Sequence, residues 1–425
     1  MRTFPEGFRW GVATSALQIE GSPNADGRGA SIWDDFAGES GDLVGNATDH
    51  YRRWREDVDL IASLGVNTYR FSLAWPRLFP DGRRREQRGF DHYDRLLEAL
   101  LELGIEPLVT LYHWDLPQTL DWRERDTVER FADYADAAFE AFGDRVPRWV
   151  TVNEPWIIGL LGYQLGLHAP GVRDLRASVE VMHHLLLAHG RAAQELDGSA
   201  EIGVAFSLFP HYPERPEDDE AARLSDGYVN RWFLDPVLKS SYPDDMLAVY
   251  EERIGPLDFV QDGDLAVIAA RSDFVGVNYY TRRVIRSAPG REPLPWEVVT
   301  LGDRPMTGGH WEVVPEAFTD LLVRLRDDYD HPPILITENG GIFPEPLHDQ
   351  ERIDYLHGHL TAVHDAIAQR VDVRGYYHWS LMDNFEWALG YEPRFGLVHV
   401  DYDTQTRTIK DSGRWYADVV RRNAL

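Results

Sequence analysis

The chain has 425 residues, 43% hydrophobic and 12% aromatic with 14 tryptophans, ample material for a large core in one big domain or several average ones. Its formal charge is −28, a surface that repels phosphate backbones and anionic lipid heads and so argues against nucleic acid or a membrane surface as partner. Cysteine is absent, which excludes disulfides, thiol catalysis and zinc–thiolate sites.

The start of the chain, Met1 to Gly11 (MRTFPEGFRWG), lacks the basic and apolar stretches of a signal peptide. No long apolar run suited to a membrane span follows, so a soluble, cytoplasmic protein is expected. The first strand-like run is Phe8–Ser15. After it comes Gln18-Ile19-Glu20-Gly21, where a doubly wound open sheet would carry a Gly-rich phosphate loop. Helical periodicity covers Asp49–Leu64, Phe90–Leu103, Val128–Phe142 and Val179–Leu196, interleaved with strands Val66–Leu73, Ile105–His113, Arg148–Pro155 and Glu201–Leu208. Phe209–Asp219 is a loop rich in proline and acidic residues. Strand Phe274–Tyr280 precedes the most irregular stretch, Ser287–Gly309, read as a long loop near the barrel mouth. Helix Glu316–Tyr329, strand Pro333–Asn339, helix Gln350–Gln369, strand Val373–Leu381 and helix Gly413–Arg422 complete the series. Several strands are near-continuous in Val, Ile, Leu and aromatics, as parallel strands buried on both faces should be. Eight alternations without a composition break predict an α/β fold, one (β/α)8 TIM barrel spanning residues 1–425.

Active sites of such barrels lie at the C-terminal ends of the strands. The fourth strand ends Thr151-Val152-Asn153-Glu154-Pro155 and the seventh Ile336-Thr337-Glu338-Asn339-Gly340. The third ends Tyr112-His113-Trp114-Asp115, and the eighth leads through Trp379-Ser380-Leu381 into Met382 to Trp387. Two glutamates at strand tips suit glycoside hydrolysis, in which one carboxyl protonates the departing oxygen while the other attacks or steadies the anomeric carbon. Taken singly, a strand-end glutamate is more often a salt-bridge partner; the pairing favours the catalytic reading. Arg70, in a buried strand, needs an acidic partner.

The ordered segments Phe8 to Ser15, Gln18 to Gly21, Tyr69 to Ser72, Leu111 to Pro117, Thr151 to Pro155, Asn278 to Tyr280, Ile336 to Gly340 and Trp379 to Trp387 make the chain resemble glycoside hydrolase family 1, the β-glucosidase family of retaining enzymes. The resemblance runs from Phe4 to about Tyr416. It implies Glu154 as acid/base and Glu338 as nucleophile. It implies that Gln18, His113, Asn153, Glu386 and Trp387 hold the hydroxyls of the non-reducing sugar, with Trp379 as the platform beneath it. Arg70 and Tyr280 match groups that touch the nucleophile, Asn278 fits beside them, Trp114 is a further sugar-binding candidate, and Trp311 matches the aromatic on the leaving-group side. Relatives specific for 6-phosphorylated glucosides lack the glutamate found at Glu386, and those cleaving thioglucosides replace the acid/base by glutamine, so unphosphorylated O-glycosides are expected. Leu17 and Thr48 depart from the family's usual aromatic and cysteine, and the stretch Gly341 to His348 is short, which bears on leaving-group specificity.

The function these residues predict is a retaining exo-β-glucosidase acting on a small β-glucoside or oligosaccharide such as cellobiose. The alternatives are a transglycosylating β-glycosidase, or a β-galactosidase/β-fucosidase of broad specificity. A non-catalytic sugar binder on a retired barrel would have been expected to lose one carboxylate first. No metal or organic cofactor is expected, since both half-reactions are proton transfer and carboxylate displacement and no H-E-x-x-H pattern occurs. No motif specifies an oligomeric state.

Overall fold

The structure, a computed structural model, describes residues 2–198, 200–308 and 311–425. Eight parallel strands close into a barrel: β1 (Arg9–Ala13), β2 (Thr68–Ser72), β3 (Glu106–Tyr112), β4 (Arg148–Asn153), β5 (Glu201–Ser207), β6 (Phe274–Tyr279), β7 (Ile334–Asn339) and β8 (Val373–Trp379). Each pairs with its neighbours in sequence, and β8 returns to β1 with Ala13 opposite Trp379. All eight match the runs read from hydrophobicity, which overshoot mainly at the C-terminal ends. The overshoot has a physical cause: the residue just past each strand is also buried, and His113, Glu154 and Tyr280 among them line a pocket.

The barrel interior is filled by alternate residues that form their own apolar cluster, including Ala13, Leu108, Val150, Ala205, Leu335 and Tyr377. Gly11 is required by this filling: a Cβ there would lie 2.4 Å from the Tyr377 ring. Outside, amphipathic helices cover the strands. Helix Gln87–Glu102 buries Phe90, Tyr93, Leu96, Leu97 and Leu100, the spacing of one helical face. Each such side chain contributes about 1.5–3 kcal/mol on leaving water. The helix stops where Gly104 takes up a φ of +70°.

Two segments differ from the expectation of irregular loops. Within Ser287–Gly309, Trp296–Val299 pairs antiparallel with Arg283–Ser287, and Met306–Thr307 pairs with Trp311–Glu312; Gly309 itself lies outside the described residues. Within Phe209–Asp219, His211–Pro213 adds in parallel to Arg283–Ser287. Between β5 and β6 the chain also forms helices Asp219–Asp226, Trp232–Lys239, Asp244–Ile254 and Asp264–Ile268, which periodicity did not single out. Among the described residues no helix is long and apolar enough to cross a membrane.

Candidate active site

Glu154 is the first residue beyond β4. Its backbone takes the left-handed conformation (φ 53°, ψ 62°), unusual for a side-chain-bearing residue and worth about 1–2 kcal/mol of strain. The surroundings hold it there: its N–H donates to the Ala205 carbonyl at 2.7 Å, and Pro155 starts the next helical turn. The β4–β5 register shifts between Val150 and Asn153, just before this turn. Glu338 sits at a corresponding irregularity, where the β6–β7 register shifts between Ile336 and Glu338. Such bulges re-aim a side chain at a strand end. Gly340 follows because a Cβ there would lie 1.8 Å from the Trp379 carbonyl oxygen.

The two carboxyls converge on β6, which supplies the amide between them. Asn278 Nδ2 donates to Glu154 Oε1 at 2.9 Å and to Asn153 Oδ1 at 3.1 Å. Arg70 Nη1 donates to Glu338 Oε1 at 2.6 Å and Tyr280 Oη to Oε2 at 2.7 Å. The other Arg70 donors go to the Thr337 carbonyl, Thr110 Oγ1 and Asn153 Oδ1, so the guanidinium is held on four sides with no exposure. Asn153 Oδ1 accepts from Arg70 and Asn278, which leaves its Nδ2 as the donor to His113 Nε2 at 3.1 Å. The proton of His113 therefore sits on Nδ1, which has no protein partner. Burial and the Arg70 charge keep this imidazole neutral. A neutral ring with one free N–H is a hydrogen-bond donor waiting for a ligand.

Electrostatics separate the carboxyls. Burial raises the Glu154 pKa most, and the negative charge of Glu338 raises it further, against opposing bonds from Asn278 and Ser207. Burial also pushes Glu338 upward, but Arg70, Tyr280 and Asn278 all pull it back. Glu338 is the one of the pair with a cation at contact distance, so it keeps the charge and Glu154 takes the proton. Glu386 is pushed up to about 8 by burial and then by Glu338 and Glu154.

Glu386 and Trp387 stand on the loop after β8. Gln18 Nε2 donates to Phe385 O, Asn384 Oδ1 and, at 3.3 Å, Glu386 Oε2, while its own oxygen accepts from Ser15. Beneath the loop, the fully buried Asp383 accepts from Lys410 Nζ at 2.8 Å and from the Gly396 N–H. Trp387 holds a left-handed φ of 54°, and Trp114 one of 74°; their rings meet at 4.5 Å between centroids. The Trp114 Nε1–H is tied to the Asn153 carbonyl.

A pocket of about 810 Å³ opens over these groups. Glu154, Glu338, Glu386, His113, Trp114, Tyr280, Trp311, Trp379 and Trp387 line it. Gln18, Arg70, Asn153 and Asn278 do not reach the wall; they lie directly behind it, bonded to residues that do. Sequence reasoning missed Ser207, a strand-end residue of β5 that the barrel rule points to, and the Asp383–Lys410 pair. It also missed an apolar lining from Ile157, Leu161, Phe209, Ile342, Leu389 and Phe395.

The family model described as glycosyl hydrolase family 1 matches residues 1–425. "Beta-glucosidase A" of Acetivibrio thermocellus is 46% identical, with 100% of this chain and 99% of that protein aligned. The "Bifunctional beta-D-glucosidase/beta-D-fucosidase" of Bifidobacterium breve is 42% identical over 97% of each chain. Among solved structures, the β-glucosidase of Thermotoga maritima in complex with glucoimidazole superposes with a TM-score of 0.95 at 43% identity, covering 100% of both chains.

Proposed function

Because the chain belongs to glycosyl hydrolase family 1, we propose that it is a retaining β-glucosidase working as a single catalytic unit, with Glu338 as nucleophile and Glu154 as acid/base. The observation that carries this reading is the asymmetry of the carboxyl pair: both buried, Glu154 bonded to the Asn278 amide and Glu338 alone paired with Arg70.

The sugar's non-reducing end sits against Glu386, Trp379 and the His113 Nδ1–H. Glu338 attacks C1 while the Glu154 proton passes to the glycosidic oxygen, and the aglycone leaves as a neutral alcohol. The glycosyl ester so formed cancels the Glu338 charge. With that charge gone the Glu154 pKa falls, and as a carboxylate it takes a proton from water as the water attacks C1. Two inversions give net retention. Arg70 and Tyr280 hold the Glu338 carboxylate ionised and aimed, and they receive it again as the ester breaks. Glu386 offers hydrogen-bonding oxygens to neutral hydroxyls and no positive charge to a phosphate dianion, which supports unphosphorylated glucosides and cello-oligosaccharides as substrates. The name of the Bifidobacterium breve relative favours a second reading in which β-fucosides are also accepted. A cytoplasmic location belongs to the proposal and is checked by cell fractionation.

Hydrolysis of p-nitrophenyl β-glucoside, followed by proton NMR of the first-formed sugar, tests the reading. β-Glucose is expected first; α-glucose first, or no hydrolysis, overturns it.

A further inference from the structure

The mouth of the pocket offers little to a hydroxyl group. Ile157 and Leu161 stand on the short helical run after Glu154, Ile342 follows β7, and Leu389 closes over from the β8 loop. Leu389 is 41% exposed and the other three are half-buried, so they form the outer wall, while the carboxyls of Glu154 and Glu338 lie at the floor. The segment after Leu161 leaves Leu165 and Leu167 exposed by 40% and 49%, and the Leu167 N–H is bonded to the Leu161 carbonyl.

Outside the carboxyls the polar lining groups are few and uncharged. The Tyr280 hydroxyl is taken up by Glu338. His168, packed against Trp33 and Trp114, is neutral because burial pushes its pKa down to about 3. No charged or amide side chain stands among the described lining residues outside the carboxyl triad. A second glucose placed against this wall loses water from its hydroxyls and finds few replacement partners. A hydrocarbon there loses nothing and removes apolar wall from water.

We infer that the enzyme selects its substrate by the leaving group, favouring glucosides with an apolar aglycone over cello-oligosaccharides, and that Leu161, Ile342 and Leu389 determine this specificity. The inference rests on the glucosidase reading above and names the substrate class of that site. The test measures kcat/KM for the methyl, butyl, hexyl and octyl β-glucosides, cellobiose, cellotriose and β-glucosyl fluoride on the intact chain. We expect kcat/KM to rise along the alkyl series by up to about fourfold per methylene until the chain clears the rim, with octyl exceeding cellobiose at least about tenfold. In the Leu161→Asn, Leu389→Gln double variant, the octyl-to-fluoride ratio falls at least about tenfold and the cellobiose-to-fluoride ratio does not. A flat alkyl series, or cellobiose equal to or better than octyl glucoside while the fluoride is cleaved, overturns the inference alone. Failure to cleave any of these substrates, the fluoride included, overturns the glucosidase reading with it.

Discussion

The floor and the mouth of the pocket are made from different parts of the chain. The floor is built from strand ends: Arg70 from β2, His113 after β3, Asn153 and Glu154 at β4, Asn278 and Tyr280 at β6, Glu338 on β7. Nearly every polar atom there is held by another, and the barrel's hydrogen bonds fix where each strand stops. The mouth is built from loops and one short helical run, and it holds its ligand by shape and apolar surface. Chemistry needs groups set to within a fraction of an ångström, which a closed barrel supplies. Selectivity among leaving groups needs only a wall, which loops supply.

Substitutions at the floor should therefore cost far more than substitutions at the mouth. Glu338→Ala removes the nucleophile and should lower kcat on the order of 10⁵-fold, with azide restoring turnover and yielding the α-glucosyl azide. Glu154→Ala should cost about 10²–10⁴-fold on alkyl glucosides and much less on nitrophenyl glucosides, which leave without a proton. A uniform loss across leaving groups would contradict the assigned role.

The same pair sets the alkaline limit of activity. Glu154 must be protonated to act, so kcat/KM should fall as pH rises through its raised pKa. In Glu338→Gln the neighbouring negative charge is gone and the Glu154 titration, followed by carbon NMR of labelled glutamate, should move to lower pH. A Glu154 titration that stays in place would show that burial alone raises it.

His113→Phe keeps the ring and removes the free Nδ1 donor; kcat/KM should drop about 10–100-fold for glucosides of every aglycone. The smallest effect belongs to the mouth. Ile342→Ala should raise KM for aryl glucosides by about tenfold or less relative to the fluoride. If it costs as much as His113→Phe, the division between floor and mouth is wrong.

The same division explains what the amino-acid sequence made legible. Strand ends carry motifs because a carboxyl, an amide and a turn residue must follow one another in order, as in Asn153-Glu154-Pro155 and Glu338-Asn339-Gly340. The apolar mouth has no such signature: Leu161 and Ile342 look like any core residue until the backbone places them at an opening. The helices between β5 and β6 escaped because the π-helical turn Gly227–Arg231 and Pro236 inside helix Trp232–Lys239 interrupt the regular period. The hairpin of Arg283–Ser287 and Trp296–Val299 was hidden by the Pro- and Gly-rich turn that joins its strands. Asp383 and Lys410 find each other across 27 residues of chain, a pairing that only the folded backbone reveals. The resemblance makes Gln18 a candidate sugar ligand, and its contacts tie it to the loop that carries Glu386, a placement that no local pattern signals.

Lys410 has a practical consequence beyond catalysis. The chain has two lysines, and this one is sealed against Asp383 with no exposure, whereas the side chain of Lys239 is 43% exposed. Amine-directed reagents thus meet a single accessible lysine. Tethering selective for the lysine side chain over the α-amino group would grip every molecule at one address on helix Trp232–Lys239, giving an immobilised layer of uniform orientation.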